Sequence, residues 1–346
     1  PGAVSLTMTA NTLAVALVAP FAGALADVLG RKRVIVCAML VVAAPPILLA
    51  YAPDLPTLIA IRFVQGVFMP PIFAVLVAYI GEEWPRGEAT RMTGIYIAAG
   101  SFGGFFGRFF TGLLADLASW RTAFLVDGLL TLAMAVAVLA LLPYERRFVR
   151  APDVVVALRQ MVRHLANPQL LATFAVGFGV LFNFLSAFTY VSFYLAEPPF
   201  SFSPTLLGSI FIVYLFGTAA SPFTGRAVAY FGRKPFVLGM IGVWTAGTLL
   251  TLAPSLFAIM PGLALFAVSG FLCQASSTSY IAIAAREGAS SAVGLYVTFY
   301  YVGGSVGAIA GGAAWHFGGW PAVVALSVGV LAAMATVIAA VWPRDA

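Results

Sequence analysis

The sequence predicts an all-α membrane protein made of two repeated helical bundles, and three observations carry that expectation. Hydrophobic residues are 62% of the 346 and charged residues 9%, where soluble domains carry roughly a quarter charged residues. The apolar residues fall into runs of the length a bilayer demands, about 20 residues at about 1.5 Å rise each. The glycine, proline, aromatic and basic residues of the first part recur about 200 residues later. Mean hydropathy is +1.02, so lipid rather than water is the expected solvent. The net charge of +6 comes from short basic clusters between apolar runs, which is not a nucleic-acid-binding pattern.

Taken in order, the apolar runs lie near 3–26, 34–52, 55–80, 92–115, 122–143, 168–196, 204–225, 235–253, 256–284, 291–315 and 320–342, eleven expected spans. Turn signals such as Ala52-Pro53-Asp54, Glu197-Pro198-Pro199 and Ala253-Pro254-Ser255 separate them. The runs are too long for barrel strands and lack period-two alternation. The one substantial gap, 144–167, divides a first bundle (1–143) from a second (168–346). In that gap Asp153 is placed to cap a short helix with Val155, Leu158, Val162 and Leu165 on one face and Arg159 and Arg163 on the other. Such a helix lies along the lipid surface, with His164 as a solvated residue on it.

The basic residues set the expected orientation. With residues 31–33 toward the cytoplasm, fifteen of the 18 Lys and Arg fall on that side, Arg121 on the other, and Arg62 and Arg108 within spans. That is the positive-inside asymmetry, and it also places the C-terminus in the cytoplasm. Cys37 and Cys273 are isolated in apolar runs, so no disulfide framework or metal site is expected. There is no nucleotide-binding loop, metal-ligand spacing or nucleophilic triad pattern. An enzyme and a resident cofactor are therefore not expected.

The repeat is the most informative feature. Pro20-Phe21, Gly23 and Gly30-Arg31-Lys32 recur as Pro222-Phe223, Gly225 and Gly232-Arg233-Lys234. Gly94, Tyr96, Gly103, Gly104, Gly107, Gly112 and Trp120 recur as Gly294, Tyr296, Gly303, Gly304, Gly307, Gly312 and Trp320. Parallel repeats related by an axis along the membrane normal place a substrate site near the midplane between the two halves.

These residues carry a resemblance. Gly23, Asp27, Gly30, Arg31 and Lys32 resemble the major facilitator superfamily signature Gly-x-x-x-Asp-x-x-Gly-Arg-Lys/Arg, and Arg62-Phe63-Val64-Gln65-Gly66 resembles its fourth-helix motif Arg-x-x-Gln-Gly. Gly94, Gly103 and Gly107 meet the spacing of its fifth-helix antiporter motif, with Arg108 where that motif has Pro and Thr111 where it has Gly. Gly294, Gly303, Gly307, Gly311 and Gly312 fit the same pattern, with Ala308 for Pro. Gly104-Phe105-Phe106-Gly107-Arg108, Asp116 and Trp120-Arg121 look most like bacterial inner-membrane transporters of the YnfM type, in the drug/proton-antiporter-like branch. The resemblance implies a twelve-helix fold of two six-helix bundles. It also implies that the sequence starts before the second helix, with the first helix missing and helices 2–6 and 7–12 present.

Functional expectations follow residue by residue. Asp27 is placed to reach the positive N-terminus of the segment starting near Ser290, forming a gate latch with Gly23, Gly30, Arg31 and Lys32. Arg62, Arg108 and Asp127 are ionisable residues inside spans, which makes them functional candidates. Arg108 and Asp127 lie at similar distances from the turn near Ala118, so an ion pair between them is expected, with Asp127 as the proton carrier. Gln65 belongs to the same transport path through the fourth-helix motif. Asn183, Ser186, Thr189 and Tyr190 form one helical stripe, and Gln274, Ser277 and Thr278 its tenth-helix counterpart, both read as cavity lining. Pro70-Pro71 is expected to kink its helix. Gly94, Gly103, Gly107 and Gly112, with Gly303, Gly307 and Gly311, are expected to let helices pack closely.

The leading functional expectation is a secondary transporter that exports a small organic molecule in exchange for protons by alternating access. The expected setting is a bacterial inner membrane, with lipid and a small-molecule substrate as partners, no nucleic acid, and a monomeric state. The competing readings are an importer or symporter of an organic anion or sugar, held by Arg62 and Arg108, and a non-transporting receptor or inactive fragment.

Overall fold

The computed structural model describes residues 2–84, 86–146, 162–285 and 289–343. All of the regular structure among them is helical: α1 (Gly2–Leu29), α2 (Arg31–Ala50), α3 (Leu55–Phe68), α4 (Pro70–Glu83), α5 (Arg86–Leu117), α6 (Trp120–Leu141), α7 (Pro168–Ala196), α8 (Pro204–Ser209), α9 (Val213–Ala220), α10 (Thr224–Phe231), α11 (Arg233–Leu250), α12 (Leu256–Ala284) and α13 (Ala289–Val341). Short 3-10 turns at Ile210–Ile212 and Ser221–Phe223 lie between α8 and α9 and between α9 and α10. Each expected span coincides with helix. Seven described helical stretches are long and apolar enough to cross a membrane, and Leu6–Ala22 of α1 is a shorter apolar one.

Helix ends follow local chemistry. Asp54 caps α3 by accepting from the Thr57 amide at 2.9 Å, Ser119 caps α6 through the Thr122 amide, and Asn167 caps α7 through the Gln169 and Leu170 amides. Each cap satisfies a donor that a helix start otherwise leaves open. The expected span at 55–80 divides at Met69 into α3 and α4. Met69 keeps helical dihedrals of −73° and −43°, and the break reflects the two donors withdrawn by Pro70 and Pro71. α13 comprises two helices that meet at Gly318–Gly319, where the backbone is non-helical, so the expected runs at 291–315 and 320–342 are separate helices joined at a glycine corner.

Packing divides the chain into two units. The amino-proximal unit comprises Ala10–Val155 with Ser203–Ser209. Its buried cluster of Ala26, Val34, Ile35, Val75 and Tyr79 gathers α1, α2 and α4, with Val138 and Leu142 from α6 against it. Gly128 of α6 sits where a Cβ would meet the Ile47 and Ala43 region of α2.

The carboxyl-proximal unit comprises Pro1–Thr9, Val156–Phe202 and Ile210–Ala346. Its main seam is α7 against α13. A Cβ on Gly303 or Gly307 would overlap the Phe178 or Phe182 carbonyl, so backbone meets backbone there. Beside it, Phe184 makes edge-on contacts with Tyr214, Trp244, Phe266 and Phe271 at 5.3–5.9 Å, pairs worth about 0.5–1.5 kcal/mol each beyond area.

Two expectations change here, and a third falls largely outside the described residues. The glycine ladders are not equivalent, since a Cβ on Gly103 or Gly107 meets nothing within 4 Å. The helix that packs on Gly303 and Gly307 is α7, and no described residue of the amino-proximal unit takes the corresponding place. His164 is buried at 7% exposure rather than solvated, whereas Val162 and Leu165 are exposed. Asp153, Val155, Leu158 and Arg159 of the expected amphipathic helix lie outside the described residues.

Candidate functional site

The embedded charges of the amino-proximal unit converge on Arg62. Arg62 stands seven residues from the start of α3 and Asp127 seven from the start of α6, so each lies about 10 Å along its helix. The Arg62 guanidinium donates to Gln65 Oε1 at 2.9 Å and lies 5.1 Å from the centre of the Phe124 ring. Its charge acts on Asp127. Phe124 and Asp127 are three residues apart on α6 and therefore share a face. Behind them, Asn11 of α1 donates to the Arg62 carbonyl at 3.2 Å and to Met69 Sδ at 3.7 Å. Gly66 makes room for this, because a Cβ there would overlap the Asn11 carbonyl. Gln65 is buried at 8% exposure.

This arrangement replaces the expected Arg108–Asp127 pair. Arg108 is exposed and its Nη1 folds back on its own helix, donating to the Gly104 carbonyl at 2.8 Å. Residues on helices adjacent in sequence looked like partners by depth alone. The guanidinium beside α6 comes instead from Arg62 of α3, distant in sequence, which covers Phe124 one turn before Asp127. Asn11 and Phe124 escaped sequence reading because neither carries charge, although Phe124 three residues before Asp127 was the available signal.

A second polar assembly surrounds the basic turn at Gly30. Gly30 has φ 93° and ψ 146°, a region essentially restricted to glycine. The Glu145 carboxylate, just past α6, accepts from the Arg31 amide at 2.9 Å and the Lys32 amide at 3.2 Å, capping the N-terminus of α2 where an anion is favoured. Lys32 Nζ lies 4.4 Å from the centre of the Tyr144 ring, the Tyr79 hydroxyl donates to the Pro143 carbonyl at 3.0 Å, and the Arg146 amide donates to Glu83 at 2.8 Å. The exit of α6 is thereby laced to α2 and α4. Arg31 and Lys32 are both 7% exposed. The Gly23 and Asp27 side-chain surroundings and residues 286–288 lie outside the described residues, and the anion seen at the start of α2 is Glu145.

The repeated turn in the other unit uses different partners. Gly232 also has positive φ, 78°. Arg233 donates to the Ser276 carbonyl and to Ser279 Oγ at 2.7 Å, while Lys234 Nζ donates to the Ala339 and Trp342 carbonyls at 2.7 and 2.8 Å. Lys234 therefore caps the C-terminus of α13, the cationic complement of what Glu145 does for α2.

The two expected cavity stripes part company. Asn183, Ser186 and Tyr190 are all fully buried, inside the α7–α13 seam rather than on an open wall. Asn183 Nδ2 donates to the Gly179 carbonyl at 2.8 Å, the Tyr190 hydroxyl to the Ala308 carbonyl at 3.1 Å, and a Cβ on Gly311 would come within 2.7 Å of Ser186 Oγ. In contrast, Gln274 is half-buried, and its backbone carbonyl accepts from Ser277 Oγ at 3.0 Å and Thr278 Oγ1 at 2.8 Å. The buried Ser277 Oγ lies 3.0 Å from the Tyr296 hydroxyl. Tyr300, whose ring stacks on Tyr296 with centres 6.1 Å apart, is the neighbour that sequence reading missed; Tyr-Tyr at 300–301, one turn beyond Tyr296, was the signal.

The remaining α5 residues face Ser203–Ser209. Asp116 Oδ2 accepts from Ser203 Oγ at 2.9 Å, the Thr205 amide at 2.8 Å and Thr205 Oγ1. These bonds hold its carboxyl below the ordinary carboxylate range, the Thr205 hydroxyl contributing most. A Cβ on Gly112 would overlap the Pro204 carbonyl, and one on Gly208 would approach the Arg108 carbonyl to 2.6 Å. The Gly94 surroundings lie outside the described residues. Among the described residues no group of three or more His, Cys, Asp or Glu is arranged to hold a metal, and both cysteines are free.

Long apolar helices that enclose half-buried charges and hydrogen-bonded polar groups at depth define a polytopic membrane transporter rather than a soluble enzyme. The model of the Major Facilitator Superfamily matches residues 1–198. Transporter YybF of Bacillus subtilis (strain 168) is 31% identical over 327 residues, 94% of this chain and 81% of that protein. The inner membrane transport protein YnfM of Escherichia coli (strain K12) is 31% identical over 324 residues, 92% of this chain and 76% of that protein. The solved nucleoside transporter NupG superposes with a TM-score of 0.75 at 16% identity, covering 98% of this chain and 90% of that one, a likeness of fold. The chain belongs to the Major Facilitator Superfamily and is a membrane transporter.

Proposed function

We propose that the protein exports a small organic molecule across a bacterial inner membrane in exchange for protons, by alternating access between two bundles, 1–143 and 168–346, joined through 144–167. The observation that carries the proton coupling is the Arg62–Asp127 couple with Gln65 and Phe124 around it. A carboxylate at membrane depth stands one turn from the ring that the Arg62 guanidinium covers, and a proton taken up there leaves the Arg62 charge for another partner. Similarity to YnfM, named an inner membrane protein, supports the location. The basic turns at 31–33 and 233–234 support a cytoplasmic placement of those ends and of the C-terminus. Asp27 with Gly23, Gly30, Arg31 and Lys32 serves as the cytoplasmic gate, with Glu145 holding the turn in shape.

Everted membrane vesicles with an acid interior, followed by a pH-sensitive dye, test this. Challenge with a panel of organic cations, organic anions and sugars should identify at least one compound whose addition discharges the gradient. Asp127→Asn should slow that discharge by roughly tenfold or more, the scale of a coupling free energy of 1–3 kcal/mol, while inserting normally. Undiminished discharge with Asp127→Asn removes the carrier. If no compound discharges the gradient but an organic anion shows counterflow in right-side-out vesicles, the importer reading replaces export, with Arg62 as the anion's partner.

A further inference from the structure

The two basic turns share a backbone and differ in what meets their helix starts. Gly30 has φ 93° and ψ 146°, and Gly232 has φ 78° and ψ 149°. Each is followed by Arg-Lys at the first two positions of a helix. At α2 the amides of that pair donate to the Glu145 carboxylate. At α11 the Arg233 and Lys234 amides have no acceptor among the described residues, and Phe236 is the first to find one, the Gly232 carbonyl at 3.1 Å. The room above the turns differs likewise. A Cβ on Gly30 lands on Glu145 Oε1, whereas one on Gly232 meets nothing described nearer than Pro235 Cδ at 3.5 Å.

The cation beside this second start lacks a countercharge. Arg233 is 7% exposed. Its Nη1 donates to the Ser276 carbonyl and to Ser279 Oγ, its Cζ lies 5.2 Å from the centre of the Tyr280 ring, and its Nε has no partner. At the offset that aligns Gly30 with Gly232, Asp27 falls on Ala229, so the second copy keeps the cation and lacks the acid. Glu197 is the one carboxylate among the described residues of the carboxyl-proximal unit. It follows the far end of α7, while the Tyr280 hydroxyl bonds Gln169 Oε1 at the near end, so Glu197 stands about 40 Å away along that helix. A buried cation left alone is heavily penalised. A helix start favours an anion through its free amides and its dipole. Both features call for the same kind of group.

We propose that Gly232, Arg233 and Lys234 form a binding site for a phosphate-type anion, supplied by an anionic phospholipid headgroup or by free phosphate. The two amides donate to its oxygens as those of the twin turn do to Glu145, and Arg233 supplies the opposite charge. Tyr230 and Phe231, 82% and 61% exposed just before the turn, are suited to the headgroup level that amphipathic rings favour. Arg226, one turn before Tyr230 and also exposed, adds positive charge on that side. The site does not depend on the direction or coupling of transport.

Hydrogen–deuterium exchange of the detergent-purified full chain tests this, read in peptides spanning 228–238, with those spanning 26–36 as a control inside the same molecule. The probes are dioleoylphosphatidylglycerol against dioleoylphosphatidylcholine in the micelles, and sodium phosphate against sodium chloride at equal ionic strength. Exchange at the α11 start should slow by about tenfold at a ligand concentration ten times its dissociation constant, since protection scales as 1 + [L]/Kd. The α2 start, already held by Glu145, should not respond. A response to phosphatidylglycerol alone assigns the site to lipid, and one to phosphate alone assigns it to the free ion. Gly232→Ala places a Cβ where the anion would sit and should remove the response, and Arg233→Gln should weaken it, with the 26–36 peptides unchanged as the sign of intact folding. Silence toward both phosphate sources overturns the proposal, as does an equal response to chloride, which screening alone produces. An undiminished response in Gly232→Ala overturns it too. So does a response that appears only in Asp345→Asn, because the chain's own carboxylate, outside the described residues, would then be the occupant.

Discussion

The Gly30 turn offers a measurement in which the structure supplies every magnitude. Gly30→Ala imposes a side chain on a φ of 93°, costing about 1–3 kcal/mol in backbone strain, and places a Cβ on top of Glu145 Oε1. The second effect displaces the carboxylate that caps the Arg31 and Lys32 amides, worth about 0.5–2 kcal/mol as a helix cap. Glu145→Ala removes the same cap alone, so it should cost about 0.5–2 kcal/mol. Since the cap is lost only once, the double variant should be about as unstable as Gly30→Ala, and the two single losses should exceed the double by the cap energy. Gly232→Ala serves as the reference for strain without a cap, because its Cβ would meet nothing nearer than Pro235 Cδ at 3.5 Å. Unfolding of the purified protein by SDS titration in mixed micelles measures all four. Additivity of Gly30→Ala and Glu145→Ala to within about 0.3–0.5 kcal/mol, the margin for independent sites, would refute the cap.

Two further outcomes follow from the packing. Asp116→Ala should raise amide exchange at Thr205 and its neighbours without affecting the Gly30 turn. Because the folded carboxyl lies below its ordinary range, the clasp is complete at pH values above that range and is lost as pH falls through the lowered folded value; acid should therefore reproduce the variant's exchange pattern, and pH-independent exchange would contradict it. Gly303→Val should cost several kcal/mol or abolish expression, since its side chain would overlap the Phe178 backbone and overpacking alone costs about 1–3 kcal/mol. A well-folded Gly303→Val protein by size exclusion would mean that the α7–α13 seam is looser than described.

Legibility in the sequence followed the range of the interaction. Helices were readable because each run of about 20 apolar residues specifies itself, and the caps at Asp54 and Ser119 are local. The repeat was readable because glycines at fixed spacing mark backbone contacts, and Gly303 and Gly307 make them. The pairing of Asp127 was not readable, because depth constrains distance along the membrane normal but not which helix stands opposite. Glu145 was overlooked for a related reason: a carboxylate in a loop reads as solvated until the fold brings it back to a helix start 114 residues away. The Asn183 stripe misled because small polar residues serve a dry helix seam and a wet wall equally well, and only burial distinguishes them.

The repeat also bears on how the work is divided. At the offset that aligns Gly94 with Gly294 and Trp120 with Trp320, Asp127 falls on Ser327 and Arg108 on Ala308. At this offset the glycines and the tryptophan recur, and these two embedded charges do not. Ser327 is fully buried, and no Asp, Glu, Lys or Arg occupies Leu256–Ala284 or Ala289–Val341. An embedded charge is costly in lipid and survives where its titration or its pairing is used, so its presence in only one copy of this repeat argues that any charge-based coupling rests on the first copy. Placing a carboxyl at Ser327 tests that division: Ser327→Asp should reduce expression and, in protein that does fold, should not restore gradient discharge to Asp127→Asn. Restoration would show that the two copies are chemically interchangeable and that the asymmetry carries no mechanism.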